Sequence, residues 1–303
     1  MSRRRAPDTA ATAKLLVIVM GVAWGLNWVA ARFILQALQP WALRTVGIGL
    51  GALTLVATAA VTRVPLAVPR GEWLKILIAG FFNVLVFNVC SAYAQVYGTT
   101  SRAIVIAYSM PIWAALLARF VLKEKLGAAK LAALALCAAG LAILIWPLMR
   151  SGFPLSALFA LGCAWSWAAG TIYLKWANIK APTLASAAWQ LLFGSLMLAA
   201  GMLAFEGLPP LWSLPPSIVA WIGYNGLIGM GFTYFLWFVV VARLPTATAS
   251  LGTLLVPVMG VLGSAWLIGE RPSPTDAIGF ALIFAAAASV LLQSTMPRTE
   301  MPE

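Results

Sequence analysis

The chain has 303 residues, 62% of them hydrophobic and 9% charged, with a mean hydropathy of +0.95 and a formal net charge of +12. A soluble domain of this length cannot hide that much apolar surface, so the bilayer is its solvent, and the apolar runs are too long for barrel strands. The charge does not imply nucleic acid, because no basic domain stands outside those runs, and the absence of histidine excludes a Cys/His metal site.

In chain order, apolar runs predict helices over 14–36, 42–62, 73–97, 101–121 and 128–148. A second set follows over 155–176, 183–204, 217–241, 246–268 and 275–293. The first run follows Arg3, Arg4 and Arg5, as a secretory signal would. It is too long for a signal core and lacks a small-residue cleavage site, so it is expected to remain as the first helix. With the N-terminus inside, about 15 of the 20 basic residues fall on cytoplasmic segments, which places both termini in the cytoplasm. Cys90, Cys137 and Cys163 are odd in number and far apart, so no disulfide framework is expected.

The two sets repeat each other. Gly21-Val22-Ala23-Trp24 reappears as Gly162-Cys163-Ala164-Trp165 at an offset of 141 residues. Met110-Pro111-Ile112 matches Val256-Pro257-Val258 at an offset of 146, and Glu124-Lys125 matches Glu270-Arg271 at the same offset. The expected organisation is therefore an all-α membrane protein of ten helices in two five-helix repeats, 1–149 and 150–303. An odd number of crossings inverts the second repeat relative to the first, a plan used by secondary transporters with sites between the repeats.

The Ala23-Trp24 pair in the first helix, the mid-helix Pro111 of the fourth and the following Leu122–Leu126 stretch, with their second copies, resemble the EamA-like branch of the drug/metabolite transporter superfamily. The resemblance covers nearly the whole chain. It implies an inverted five-plus-five bundle that works by alternating access, and within the family it is nearest to bacterial exporters of aromatic and other neutral amino acids. The expected location is the bacterial inner membrane.

Pro111 and Pro257 sit mid-span on equivalent helices, where proline leaves Ala107 and Thr253 without their helical donors. They are read as paired hinges. All eight acidic residues lie in tails or near helix ends, so no intramembrane carboxylate is available for a proton relay or for acid–base catalysis. That disfavours a multidrug or cationic-compound transporter, and also an intramembrane enzyme; facilitated movement without ion coupling is the simpler expectation. Glu124 and Glu270 are read as structural, at the start of the next helix.

The substrate surface must then come from polar and aromatic side chains at mid-depth. The candidates are Trp24 and Asn27 on the first helix, with Asn83, Asn88 and Tyr93 on the third. Tyr108 and Trp113 flank the first proline, Trp165 repeats Trp24, and Tyr224 and Tyr234 lie on the eighth helix. Aromatic walls with a few amides suit a neutral or zwitterionic solute, such as an amino acid with an apolar side chain. Gly21–Gly25 and Gly47–Gly51 have the spacing of close helix packing. No cofactor is implied, the lipid bilayer is the other partner, and one chain carries a complete pathway, so no oligomer is required.

Overall fold

A computed structural model describes residues 9–124, 126–150, 153–237 and 254–293. Seven helices among the described residues are long and apolar enough to cross a bilayer. They are α1 (Thr9–Ile34), α2 (Pro40–Thr62), α3 (Arg70–Val96), α4 (Thr100–Val121), α5 (Ala128–Arg150), α6 (Leu155–Ala177) and α7 (Thr183–Phe205). Helical structure continues through α8 over 216–237, α9 (Leu255–Ile268) and α10 (Pro274–Gln293). The expected stretch 246–253 and the C-terminal tail lie outside the described residues, as do Arg3–Arg5.

Local chemistry sets the ends. Pro40 occupies the first turn of α2, where its missing N–H costs nothing. Arg63 closes that helix in the left-handed region at φ 56°, donating its N–H to Ala60. Asn178 ends α6 in the same way, and Gly269 ends α9 at φ 77°. Thr99 caps α4 by accepting the Arg102 N–H.

The largest helix pairings join early helices to late ones: α5 with α10, α2 with α7 and α8, α1 with α9, and α3 and α4 with α6. Both close-packing glycine pairs lie in such seams. A Cβ on Gly25 would stand 2.6 Å from the Met259 side chain and 2.7 Å from the Val256 carbonyl, which seats α1 on α9. Gly47 and Gly51 seat α2 on α8, against Asn225 and Met230.

Two helices depart from α geometry at related places. α3 carries a π segment at Phe81–Val86, and α8 carries one at Tyr224–Phe232. The 146-residue offset carries 81–86 onto 227–232, inside the second segment. α4 breaks at Tyr108–Ser109, and its second part starts at Met110 with Pro111 in the first turn. α9 starts at Leu255, with buried Pro257 in its first turn.

Candidate functional site

Tyr234 on α8 meets Trp24 on α1 in a T-shaped arrangement, with ring centroids 5.4 Å apart at 88°, and Trp237 lies 6.3 Å from Trp24. Tyr108, at the break of α4, packs against the buried cluster that holds Trp28 and Cys163. Trp24 and Tyr234 thus meet where helices from both ends of the sequence pack together.

Other candidates hold the walls together. The Asn225 amide donates to Asn27 Oδ1 at 2.7 Å, and both side chains are buried. Gly47 and Gly229 leave room for these amides, since a Cβ at either would overlap an amide oxygen. Tyr224 donates its hydroxyl to the Ala23 carbonyl at 3.0 Å, a second tie between α8 and α1. Asn83, inside the π segment of α3, donates to Gln190 Oε1 at 3.1 Å, and its Oδ1 sits against Gly170 without a hydrogen-bond donor. Asn88 donates to the Val84 carbonyl, and its Oδ1 is likewise buried without a donor.

The remaining candidates have other partners or none among the rings of that cluster. Trp113 donates to Ser109 on its own helix at 3.0 Å. Tyr93 stacks on Phe159 and Tyr97, with centroids 5.2 and 6.1 Å away. Trp165 is 47% exposed on the surface of α6, whereas its counterpart Trp24 packs against rings.

A cavity of about 440 Å³ opens at the end of the bundle where α3 finishes and α4 begins, lined by Arg32, Tyr97, Thr99, Arg102, Leu148 and Ser156 among others. An adjoining one of about 260 Å³ shares Arg32 and Val96. Arg102 is held by Asp276 in a bidentate pair, with Nε to Oδ1 at 2.6 Å. Arg32 donates to the Gln95 carbonyl and has no carboxylate partner among the described residues.

The acidic residues among those described do occupy helix ends, but not always the expected ones. Glu270 does not serve the start of α10. It accepts the Thr100 and Ser101 N–H groups at 2.6 and 2.9 Å and the Ser101 hydroxyl at 2.6 Å, capping α4. Glu206 does the same for α2 through the Trp41 and Ala42 N–H groups. Asp276 instead accepts the Ser273 N–H and hydroxyl at the start of α10.

Sequence reasoning missed Arg44. It is 4% exposed within α2, its Nε has no acceptor, and no carboxylate pairs with it among the described residues. The substrate surface was expected to be amides and hydroxyls without a buried fixed charge, and no expectation was attached to this guanidinium. A signal existed in the spacing. Arg44, Gly47 and Gly51 fall at i, i+3 and i+7, so Arg44 shares the face that the glycines press into the bundle. No group of three or more metal-ligating side chains forms among the described residues.

The model of the EamA-like transporter family matches this chain twice, over residues 11–146 and 154–292. YoaV, an uncharacterized transporter of Bacillus subtilis, is 25% identical over 262 residues, covering 83% of this chain and 86% of that protein. A probable amino-acid metabolite efflux pump of Salmonella typhimurium is 26% identical and covers 89% and 91%. Its namesake in Escherichia coli is 25% identical over the same shares. A solved structure, described only as "Crystal structure of protein", shares the fold with a TM-score of 0.63 at 23% identity, over 92% of this chain and 96% of that one. Two matches of one family model, laid over an all-helical bundle with apolar spans, place the chain in the EamA-like transporter family.

Proposed function

We propose that the chain exports small neutral metabolites across the bacterial inner membrane, amino acids among them, including aromatic ones, methionine and threonine. The observation that carries this is the meeting of Trp24 with Tyr234 and Trp237, an aromatic cluster between helices of the two family matches. Such a site favours an apolar side chain, and the amide groups of Asn83 and Asn88 keep unmatched acceptors for a polar head. The names of the Salmonella and Escherichia relatives support amino-acid metabolites as the cargo class.

The architecture in this reading is ten crossings in two inverted halves, 1–149 and 150–303, with both termini cytoplasmic. The halves rock by alternating access about Pro111 and Pro257. Reciprocal pairings support it: α3 packs on α6 as α8 packs on α1, and α4 on α6 as α9 on α1. Transport is facilitated rather than proton-driven, because Glu72, Glu124, Glu206, Glu270 and Asp276 are all engaged at helix ends.

Purified protein in liposomes tests this reading by counterflow of methionine, threonine, phenylalanine and a cationic dye, with and without a proton gradient. Saturable amino-acid exchange indifferent to the gradient is the expected result. Proton-driven dye movement with amino acids ignored would instead establish a multidrug transporter on the same fold.

A further inference from the structure

Buried ions in proteins are paired, because an uncompensated charge away from water costs several kcal/mol. Arg44 breaks that rule. Its side chain is almost wholly buried in the second turn of α2, and its Nε lacks an acceptor. The carboxylates at that end of the bundle are already engaged: Glu206 by Trp41 and Ala42, Glu270 by Thr100 and Ser101, and Asp276 by Arg102 and Ser273. The three acids outside the described residues, Asp8, Glu300 and Glu303, belong to the chain termini. Among the described residues, therefore, no carboxylate answers the side chain.

Its surroundings say where an anion would come from. Arg44 shares its face of α2 with Gly47 and Gly51, which seat that helix on α8, and Tyr234 of α8 packs against the cluster that includes Ile48 and Ala52 of α2. α2 also packs on the 87–96 part of α3, which bears Asn88 with its unmatched Oδ1. A donor without an acceptor on one helix and an acceptor without a donor on its neighbour complement a zwitterion.

We propose that Arg44 is the anchor for the carboxylate of the transported solute, which makes a free carboxylate, and not only an apolar side chain, a requirement for recognition. The solute class is an α-amino acid, or a related monocarboxylate, with its side chain directed to the aromatic site. This rests on reading the chain as a metabolite carrier. Arginine suits the role because its planar fork matches a carboxylate with two parallel hydrogen bonds, which lysine cannot copy.

The test uses the full chain in liposomes with three probes: phenylalanine, phenylalaninamide and 3-phenylpropionate. Wild type is expected to exchange phenylalanine and 3-phenylpropionate and to ignore the amide. Arg44→Met should weaken recognition of both acids by about tenfold to a hundredfold, as loss of a charged hydrogen bond does, and Arg44→Lys should retain part of it. Equal handling of phenylalanine and its amide by wild type, or unchanged phenylalanine exchange by Arg44→Met, would overturn the proposal and leave the carrier reading intact. If no probe moves, the carrier reading fails for this solute class, and melting temperature in detergent decides the proposal. Carboxylates that raise it above chloride in wild type but not in Arg44→Met sustain the anchor; no carboxylate effect in wild type removes it. Should Arg44→Met not fold, Arg44→Lys and the wild-type comparison of acid with amide give the same decision.

Discussion

Glu270 accepts hydrogen bonds from Thr100 and Ser101, 170 and 169 residues away, and so joins the end of α9 to the start of α4. Removing it leaves partly buried N–H groups without an acceptor, so Glu270→Ala should destabilise the protein by about 1–3 kcal/mol, read as a lower melting temperature in detergent. Glu270→Gln, which keeps an acceptor, should lose less. At the other end of the bundle, the Lys175 ammonium donates to Glu124 at 2.6 Å, and with Lys130 at 3.6 Å it holds that carboxyl below the usual glutamate range. A depressed folded value contributes stability that is complete above the unfolded value of about 4.3 and is lost as pH falls through the folded one. Glu124 is a third exposed, so screening keeps the contribution small. Wild type and Glu124→Gln should therefore melt together near pH 3 and separate slightly at neutral pH, with the gap closing in high salt. That carboxylates sit at helix ends was readable from their positions in the sequence. Which helix start Glu270 caps was not, because the capped residues are neighbours only after the late helices pack against the early ones.

The break of α4 is the clearest case of an element read correctly from one residue type. Pro111 cannot donate to Ala107, and the helix does divide at Tyr108–Ser109, restarting at Met110. Thr253, the second carbonyl expected to lose its donor, lies outside the described residues. If the two prolines are hinges, replacing both with alanine restores the missing donors and stiffens both helices. Counterflow should then slow while expression and melting temperature hold; unchanged rates would leave the prolines as packing residues. The π segments of α3 and α8 had no comparable signal. A π turn comes from tertiary demands on an apolar stretch, and only afterwards does it become clear that Asn83 and Asn225 lie in those segments. Gly47 offers a direct probe of one such seam. A Cβ there would collide with the Asn225 amide oxygen and push Asn225 off Asn27, so Gly47→Ala should cost about 1–3 kcal/mol and lower the melting temperature.

At the scale of the whole molecule, the apolar runs and the repeated Ala-Trp and Pro motifs were enough to outline the helices and their order. The aromatic surroundings were less legible: Trp24 packs against Tyr234, while Trp165 is exposed although it repeats Trp24. Sequence repetition fixes equivalent positions along helices, but burial depends on which helix comes to cover each face. The main contacts run between early and late helices, as in α5 with α10 and α2 with α7. Either family-matched half alone would therefore expose surface that the other half buries, including the glycine faces of α1 and α2. Residues 1–149 or 150–303 expressed separately are expected to be degraded or to aggregate. Co-expressed, they should recover a complex that co-purifies and melts cooperatively, because the cut falls at the last residue of α5 and leaves the pairings between early and late helices intact. A single half that accumulates as a stable, monodisperse protein would mean that each repeat folds by itself and that the cross-packing is a late docking step.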